Sequence, residues 1–335
     1  MQAGMREKMA NIAVVGAGRM GRGIALSFAW AGYPVALIDS EERPADAFRE
    51  LAASLRADLA TEIQLLADTG VLSADRAREI ATDTDIIARA TSGDVLQGAD
   101  FIFEAVAEVV EIKESTYAWL SESASRRAIV ASTTSTLLAD TLAGFIADSE
   151  RFTNAHWLNP AYLVPLVEIS PSDQTSADTV ATLKQLLEGI GKVPVVCKAS
   201  PGYIVSRIQA LALNEAARLV DEGVASAEDI DRAIRVGFGP RYSVFGLLEF
   251  IDWGGGDILY YASNYLAKNI DEGRFSPPAI IERNMREGRN GLRDGVGFYD
   301  YEGRDIAAYQ RQRLTEFVRL LEAQSLLPTA AEFGK

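Results

Sequence analysis

Two residue types that often carry chemistry are almost missing from this chain. Its 335 residues hold one cysteine, Cys197, and one histidine, His156. A disulfide within the chain is therefore impossible. Cys197, inside the apolar run VPVVCK, reads as a small buried hydrophobe. One Cys and one His make a structural zinc site improbable, and no metal is expected. No apolar run reaches the ~18 residues of a membrane span. The opening MQAGMREKMA has no apolar leader segment, so a cytoplasmic setting is the expectation. Positive charge is also scarce. The 33 Lys and Arg face 47 Asp and Glu, and the net charge of −14 disfavours nucleic acid and anionic membrane surfaces as partners. What is abundant is apolar side chain, 48% of the total. At this length two hydrophobic cores are the prior.

The first half alternates short apolar runs with helical spacing. NIAVV (11–15) is a strand, GAGRMG follows, RGIALSFAWAG is a helix stopping on Gly32, and PVALID is a second strand ending at Asp39. This βαβ order implies a parallel sheet. It also places Gly16, Gly18 and Gly21, with Arg19 and Met20 between them, where a dinucleotide pyrophosphate meets a helix N-terminus. Asp39 at the second strand end would accept hydrogen bonds from the ribose hydroxyls and repel a 2′-phosphate, which favours NAD over NADP. Arg43 lies nearby and works against that preference. Residues 44–82 read as two helices around a TG turn. DFIFEAVAE, AIVASTTS, RFTNAHW, PLVEIS and VPVVCK are further strands, which together amount to a doubly wound sheet.

His156 ends the strand RFTNAHW and Glu168 lies in PLVEIS. The connector between these strands is too short for a parallel crossover. The two strands should therefore form an antiparallel pair appended to the sheet, with His156 and Glu168 meeting across it. A lone histidine is more often a satisfied core residue. Here a carboxylate partner and a place at the ligand side of the sheet favour a general base. Glu168 among apolar neighbours would be costly unpaired. The run STTST (132–136) reads either as a helix-capping loop or as a source of a substrate-binding hydroxyl. After Lys198 the texture turns helical. YIVSRIQALALNEAARLVDEG stops at Gly223, and SAEDIDRAIRVG stops at Gly237 ahead of a loop, GFGPRYSVFGLLE. Residues 257–270 and 303–325 are further helices. The expected domains are 1–198, a Rossmann domain, and 199–335, an all-α domain.

Taken together, GAGRMG, DFIFEAVAEVVEIK, ASTTSTL, HWLNP, PGYIVSRI and GRNGLRDGVGFYDY resemble the L-3-hydroxyacyl-CoA dehydrogenase family in order and over almost the whole chain. The resemblance implies an NAD-dependent oxidation of a secondary 3-hydroxyl. Ser135 falls on the family's catalytic serine, His156 on its base, and Glu168 on the acid that orients the base. Asn159 falls in the His-x-x-Asn-Pro motif. Ala105, Glu108 and Lys113 fall where the family meets the cofactor. A homodimer through the helical domain is also implied. Two departures stand out. Ser206 replaces the usual Asn in PGYIVSRI, and the segment around Arg241 is longer than in the acyl-CoA branch. The latter is closer to the small-hydroxy-acid branch that includes L-gulonate 3-dehydrogenase and lambda-crystallin. Residues 44–90, the arm that meets CoA in the acyl-CoA branch, carry five arginines, nine acids and no lysine. A small 3-hydroxy acid, gripped by Arg241, is therefore the expected substrate. An L-3-hydroxyacyl-CoA thioester is the alternative. A catalytically weak NAD-binding structural or sensor protein is the alternative of another class.

Overall fold

A computed structural model describes residues 9–327. Most of the opening stretch read above, residues 1–8, lies outside them. Eight strands form one sheet: β1 (Ile12–Val15), β2 (Val35–Ile38), β3 (Thr84–Ile87), β4 (Phe101–Glu104), β5 (Ile129–Ser132), β6 (Phe152–Trp157), β7 (Leu166–Pro171) and β8 (Val193–Val196), in spatial order 3-2-1-4-5-6-7-8. The first six are parallel. β7 turns back antiparallel to β6, and β8 is parallel to β7. The appended strands are thus β7 and β8, both running against the rest. Among the described residues seven α-helices accompany them: α1 (Arg19–Trp30), α2 (Ala45–Asp68), α3 (Ala74–Thr82), α4 (Gly93–Gly98), α5 (Val110–Ser123), α6 (Ala139–Ala143) and α7 (Ala177–Gly189).

The side-chain alternation of each strand divides the core between the two faces. Ile12, Val14, Leu37 and Phe103 pack with α1, α2 and α7, through Ile24, Leu55 and Leu187 among others. Ala13, Val15, Ile38 and Ile102 pack with α4, α5 and α6, through Leu96, Tyr117 and Leu142. Burial on both faces is why the central strands read as unbroken apolar runs. Each large apolar side chain so buried contributes about 1.5–3 kcal/mol relative to exposure. The sequence reading omits β3, an edge strand of which only Ile86 is buried.

A helical stretch follows: α8 (Val205–Asp221), α9 (Ala227–Ala233), α10 (Gly239–Phe245), α11 (Leu247–Gly254), α12 (Gly256–Asn269), α13 (Glu272–Phe275), α14 (Ala279–Arg286) and α15 (Ile306–Ala323). By compactness the described chain divides within α8, one unit ending at Ala212 and the next beginning at Leu213. The expected stop at Gly237 and the loop after it are corrected. A π-helical turn, Ile234–Phe238, carries α9 directly into α10. Pro240 sits in the first turn of α10, directly after the π turn. Gly246 at φ +68 makes the actual stop. Arg241 is therefore a helix residue. The GRNGLRDGVGFYDY segment wraps Asp252 of α11, whose carboxylate accepts from Phe298 N and Tyr299 N at 2.9 Å and from the Tyr301 hydroxyl at 3.1 Å. No helix among the described residues is long and apolar enough to cross a membrane.

Candidate active site

The glycine loop joins β1 to α1. The Gly16 N–H donates to Ile38 O at 2.9 Å, which ties the loop to β2. Gly16 has φ +105, and a Cβ there would lie 2.6 Å from Ala105 O, so only glycine fits. A Cβ on Gly18 would meet nothing within 4 Å. The backbone at Gly18 therefore borders open space, and no side chain caps the first turn of α1. A cavity of about 440 Å³ lies here, lined by Gly16, Gly18, Arg19, Met20, Asp39, Arg43 and Ala105 among others. Bare amides at a helix N-terminus beside that space fit a pyrophosphate. Arg19 is exposed and has no carboxylate partner among the described residues. Asp39 is buried at the tip of β2. Its Oδ2 accepts from Arg43 Nε at 2.8 Å, and Arg43 Nη2 also meets Glu41 Oε2 at 2.8 Å. The Arg43 guanidinium is thus held between two carboxylates.

The serine loop leaves β5. One carboxylate oxygen, Glu108 Oε1, accepts from the Thr134 hydroxyl, from Ser135 N and Thr136 N at 3.0 Å each, and from the Thr136 hydroxyl at 3.0 Å. Lys113 Nζ stands 3.6 Å from Glu108 Oε2. Burial pushes the Glu108 carboxyl up, but the Thr134 hydrogen bond, Lys113 and the Thr136 bonds outweigh it, and its pKa lies below the usual value. The clamp is therefore intact above the ordinary carboxyl range and is lost only as pH falls through that depressed value. Lys113 is fully buried and donates to both oxygens of Glu104, at 2.9 and 3.0 Å. The Ser132 and Tyr117 hydroxyls donate to Glu104 as well. This buried ion pair is hydrogen-bonded at both carboxylate oxygens, which helps offset its desolvation. Ser135 itself is exposed.

The β6–β7 register puts His156 directly opposite Glu168. His156 Nδ1 donates to Glu168 Oε2 at 2.8 Å, with both side chains buried. The other oxygen, Glu168 Oε1, accepts from Ile204 N and Val205 N, both at 2.9 Å, at the start of α8. With Nδ1–H on the carboxylate, the imidazole keeps its lone pair on Nε2. The Tyr203 ring stacks on His156 with centroids 5.2 Å apart. Ser206 is the second residue of α8, next to Val205. Asn159 is exposed in the turn after β6, and its side chain makes no hydrogen bond among the described residues. Lys192 holds that turn, donating to Ala161 O at 2.6 Å and Val164 O at 3.0 Å. Arg241 belongs to the second unit, where its Nε donates to Gly237 O at 2.7 Å and its guanidinium lies 5.1 Å from the Phe250 ring.

The arrangement pairs a dinucleotide cradle with a carboxylate-held imidazole. The family models described as 3-hydroxyacyl-CoA dehydrogenase, NAD binding domain and C-terminal domain match residues 11–200 and 202–301. The chain belongs to the 3-hydroxyacyl-CoA dehydrogenase family. It is an NAD-dependent oxidoreductase. Among relatives, the 5-formyl-3-hydroxy-2-methylpyridine 4-carboxylate 5-dehydrogenase of Mesorhizobium japonicum is 31% identical over 94% of this chain and 99% of its own. The mitochondrial hydroxyacyl-coenzyme A dehydrogenase of Sus scrofa is 30% identical over 87% of this chain and 91% of its own. A solved 3-hydroxyacyl-CoA dehydrogenase from Archaeoglobus fulgidus superposes with a TM-score of 0.74 at 30% identity, covering 95% of this chain and all of that one.

Within this 3-hydroxyacyl-CoA dehydrogenase fold, the sequence reading missed Glu104, Asn154, Lys192 and Tyr203. A period-two reading of β6 would have found Asn154, two residues before His156 and so on the same face. Nothing local marks the other three, because most of their partners are distant in sequence.

Proposed function

We propose that this chain oxidises the secondary hydroxyl of a small 3-hydroxy acid to a ketone. The observation that carries the reading is the buried His156–Glu168 pair, with Nε2 left as the free base. His156 Nε2 takes the hydroxyl proton as the C–H bond breaks. Glu168 keeps Nδ1 protonated and stabilises the imidazolium. Bound NAD supplies the hydride acceptor. Ser135, Asn159 and Ser206 position the reacting oxygen, and in the reverse direction the imidazolium returns the proton. Gly16, Gly18, Arg19, Met20, Gly21 and Ala105 hold the cofactor phosphates, Asp39 the ribose. Glu108 and Lys113 support the cofactor side through the serine loop.

The arm formed by α2, α3 and the segment after them supports a free acid over a CoA thioester. Three of its five arginines are already engaged. Arg76 donates to Ala29 O and Trp30 O at 2.7 and 2.9 Å, Arg78 pairs with Asp75, and Arg89 donates to Ser40 O at 2.9 Å. A relative whose own substrate is named as a pyridine carboxylate supports the same choice. Arg241 makes no ion pair among the described residues, so its terminal nitrogens are available to a carboxylate. NADH formation across a panel of free hydroxy acids and hydroxyacyl-CoAs tests the reading. Arg241→Met should raise KM for the free acid roughly tenfold or more, the scale of one lost charge-assisted contact. Efficient turnover of 3-hydroxyacyl-CoA with none of free acids refutes the small-acid assignment. Turnover of neither class favours an NAD-binding structural or sensor role.

Cofactor choice follows from Asp39. The wild type should bind NAD more tightly than NADP in direct titration. Asp39→Ser removes one of the two carboxylates holding Arg43, and affinity for NADP should then rise roughly tenfold relative to NAD. Equal binding of both by the wild type refutes the role of Asp39.

We also place the protein in the cytoplasm as a homodimer formed through the helical region. Ile258, Tyr261 and Tyr265 of α12 are each more than 60% exposed, an apolar face suited to a twofold interface. Sedimentation should give a dimer at micromolar concentration, and a monomer there contradicts the assignment.

A further inference from the structure

Tyr203 touches both halves of the chemistry. Its ring lies against His156 at a 27° interplanar angle. Its hydroxyl donates to Thr134 O at 3.0 Å, one residue before Ser135. The same hydroxyl accepts from Asn154 Nδ2 at 2.9 Å, and that amide also donates to Leu137 O at 2.9 Å. The Asn154–Tyr203 pair therefore grips the serine loop at two carbonyls that flank Ser135, while Glu108 holds the amides between them. Asn154 and His156 share one face of β6, and Tyr203 makes contact with both.

The backbone under Tyr203 is unusual. Its φ of +46 is uncommon for a residue with a large side chain. Such a conformation persists only where the surroundings over-determine it. Here the two following amides are held by Glu168, the His156 partner, and the hydroxyl is held by Thr134 and Asn154. A greasy core ring would need neither.

We infer that Tyr203 is a positioning residue of the dehydrogenase reaction, whose hydroxyl registers the Ser135 loop against His156. The inference rests on the proposed roles of Ser135 and His156. Tyr203 is not itself a proton carrier. Burial, together with the carboxylates of Glu108 and Glu168, holds its phenol well above the usual range despite the Asn154 hydrogen bond.

The test is a four-protein cycle of wild type, Tyr203→Phe, Ser135→Ala and the double variant. For each, kcat and KM on the best hydroxy substrate, the Kd for NAD and the Tm are measured. Tyr203→Phe keeps the ring and so the stack on His156. It should lower kcat about tenfold, the scale of one misplaced reactive group or lost hydrogen bond. NAD affinity should not change. In the Ser135→Ala background the same substitution should change kcat by no more than about twofold, because the group it positions is gone. Equal losses in both backgrounds overturn the inference, since a general structural effect is additive. A normal kcat for Tyr203→Phe beside an impaired Ser135→Ala overturns this inference alone. A fully active Ser135→Ala overturns it together with the role proposed for the serine.

Discussion

Glu168→Gln should lose on the order of 10³–10⁴-fold in kcat while the protein still folds and binds NAD, the scale seen when the carboxylate behind a catalytic histidine becomes an amide. Two backbone amides decide the outcome. Ile204 N and Val205 N both point at Oε1 from 2.9 Å, so the oxygen of the new amide must take that place. Its NH₂ then faces His156 Nδ1, 2.8 Å away. A donor there forces Nδ1 to be an acceptor, and the ring proton moves to Nε2. The nitrogen that should take the substrate proton has then lost its lone pair. The opposite amide orientation sets NH₂ against two N–H groups and leaves buried donors unmet, at a cost of about 1–3 kcal/mol each. Steady-state kinetics with an NAD titration on the same preparation checks this. A kcat within a few-fold of wild type would falsify the tautomer role of Glu168.

Removing the base itself should be at least as severe. His156→Ala is expected to lose at least as much kcat as Glu168→Gln, beyond the ~10²-fold lower bound for a general base. NAD affinity should stay close to wild type, because the cofactor cradle lies at β1, β2 and the end of β4, away from the β6–β7 pair. Thermal stability should fall, since Glu168 Oε2 is left buried without its only described donor. Adding Glu168→Gln to His156→Ala should cost little further kcat, because residues that act as one unit lose their function together. Comparable multiplicative losses instead would show that the two carboxyl and imidazole groups act separately.

Local pattern alone determined the first βαβ unit, the glycine loop and Asp39, because a period-two apolar run, a Gly-rich turn and a helical stripe follow from backbone sterics within a few residues. The meeting of His156 and Glu168 was also legible. A connector too short for a crossover leaves only an antiparallel return, and strand register does the rest. Tertiary structure decided what local pattern cannot carry. Gly237 looks like a helix stop, yet packing carries the chain through a π turn into α10, and Arg241 moves from a loop to a helix. The TDII segment is too short and too exposed to announce itself, and becomes β3 only by pairing with β2. Within the site, only the fold shows that Glu108 binds the serine loop and that Lys113 pairs with Glu104. Tyr203 and Asn154 lie 49 residues apart and find each other only once the sheet has folded. Sequence determines the bonds a backbone makes with its near neighbours. A buried polar side chain takes whatever partner the fold brings within 3 Å, and that is set by topology rather than by spacing along the chain.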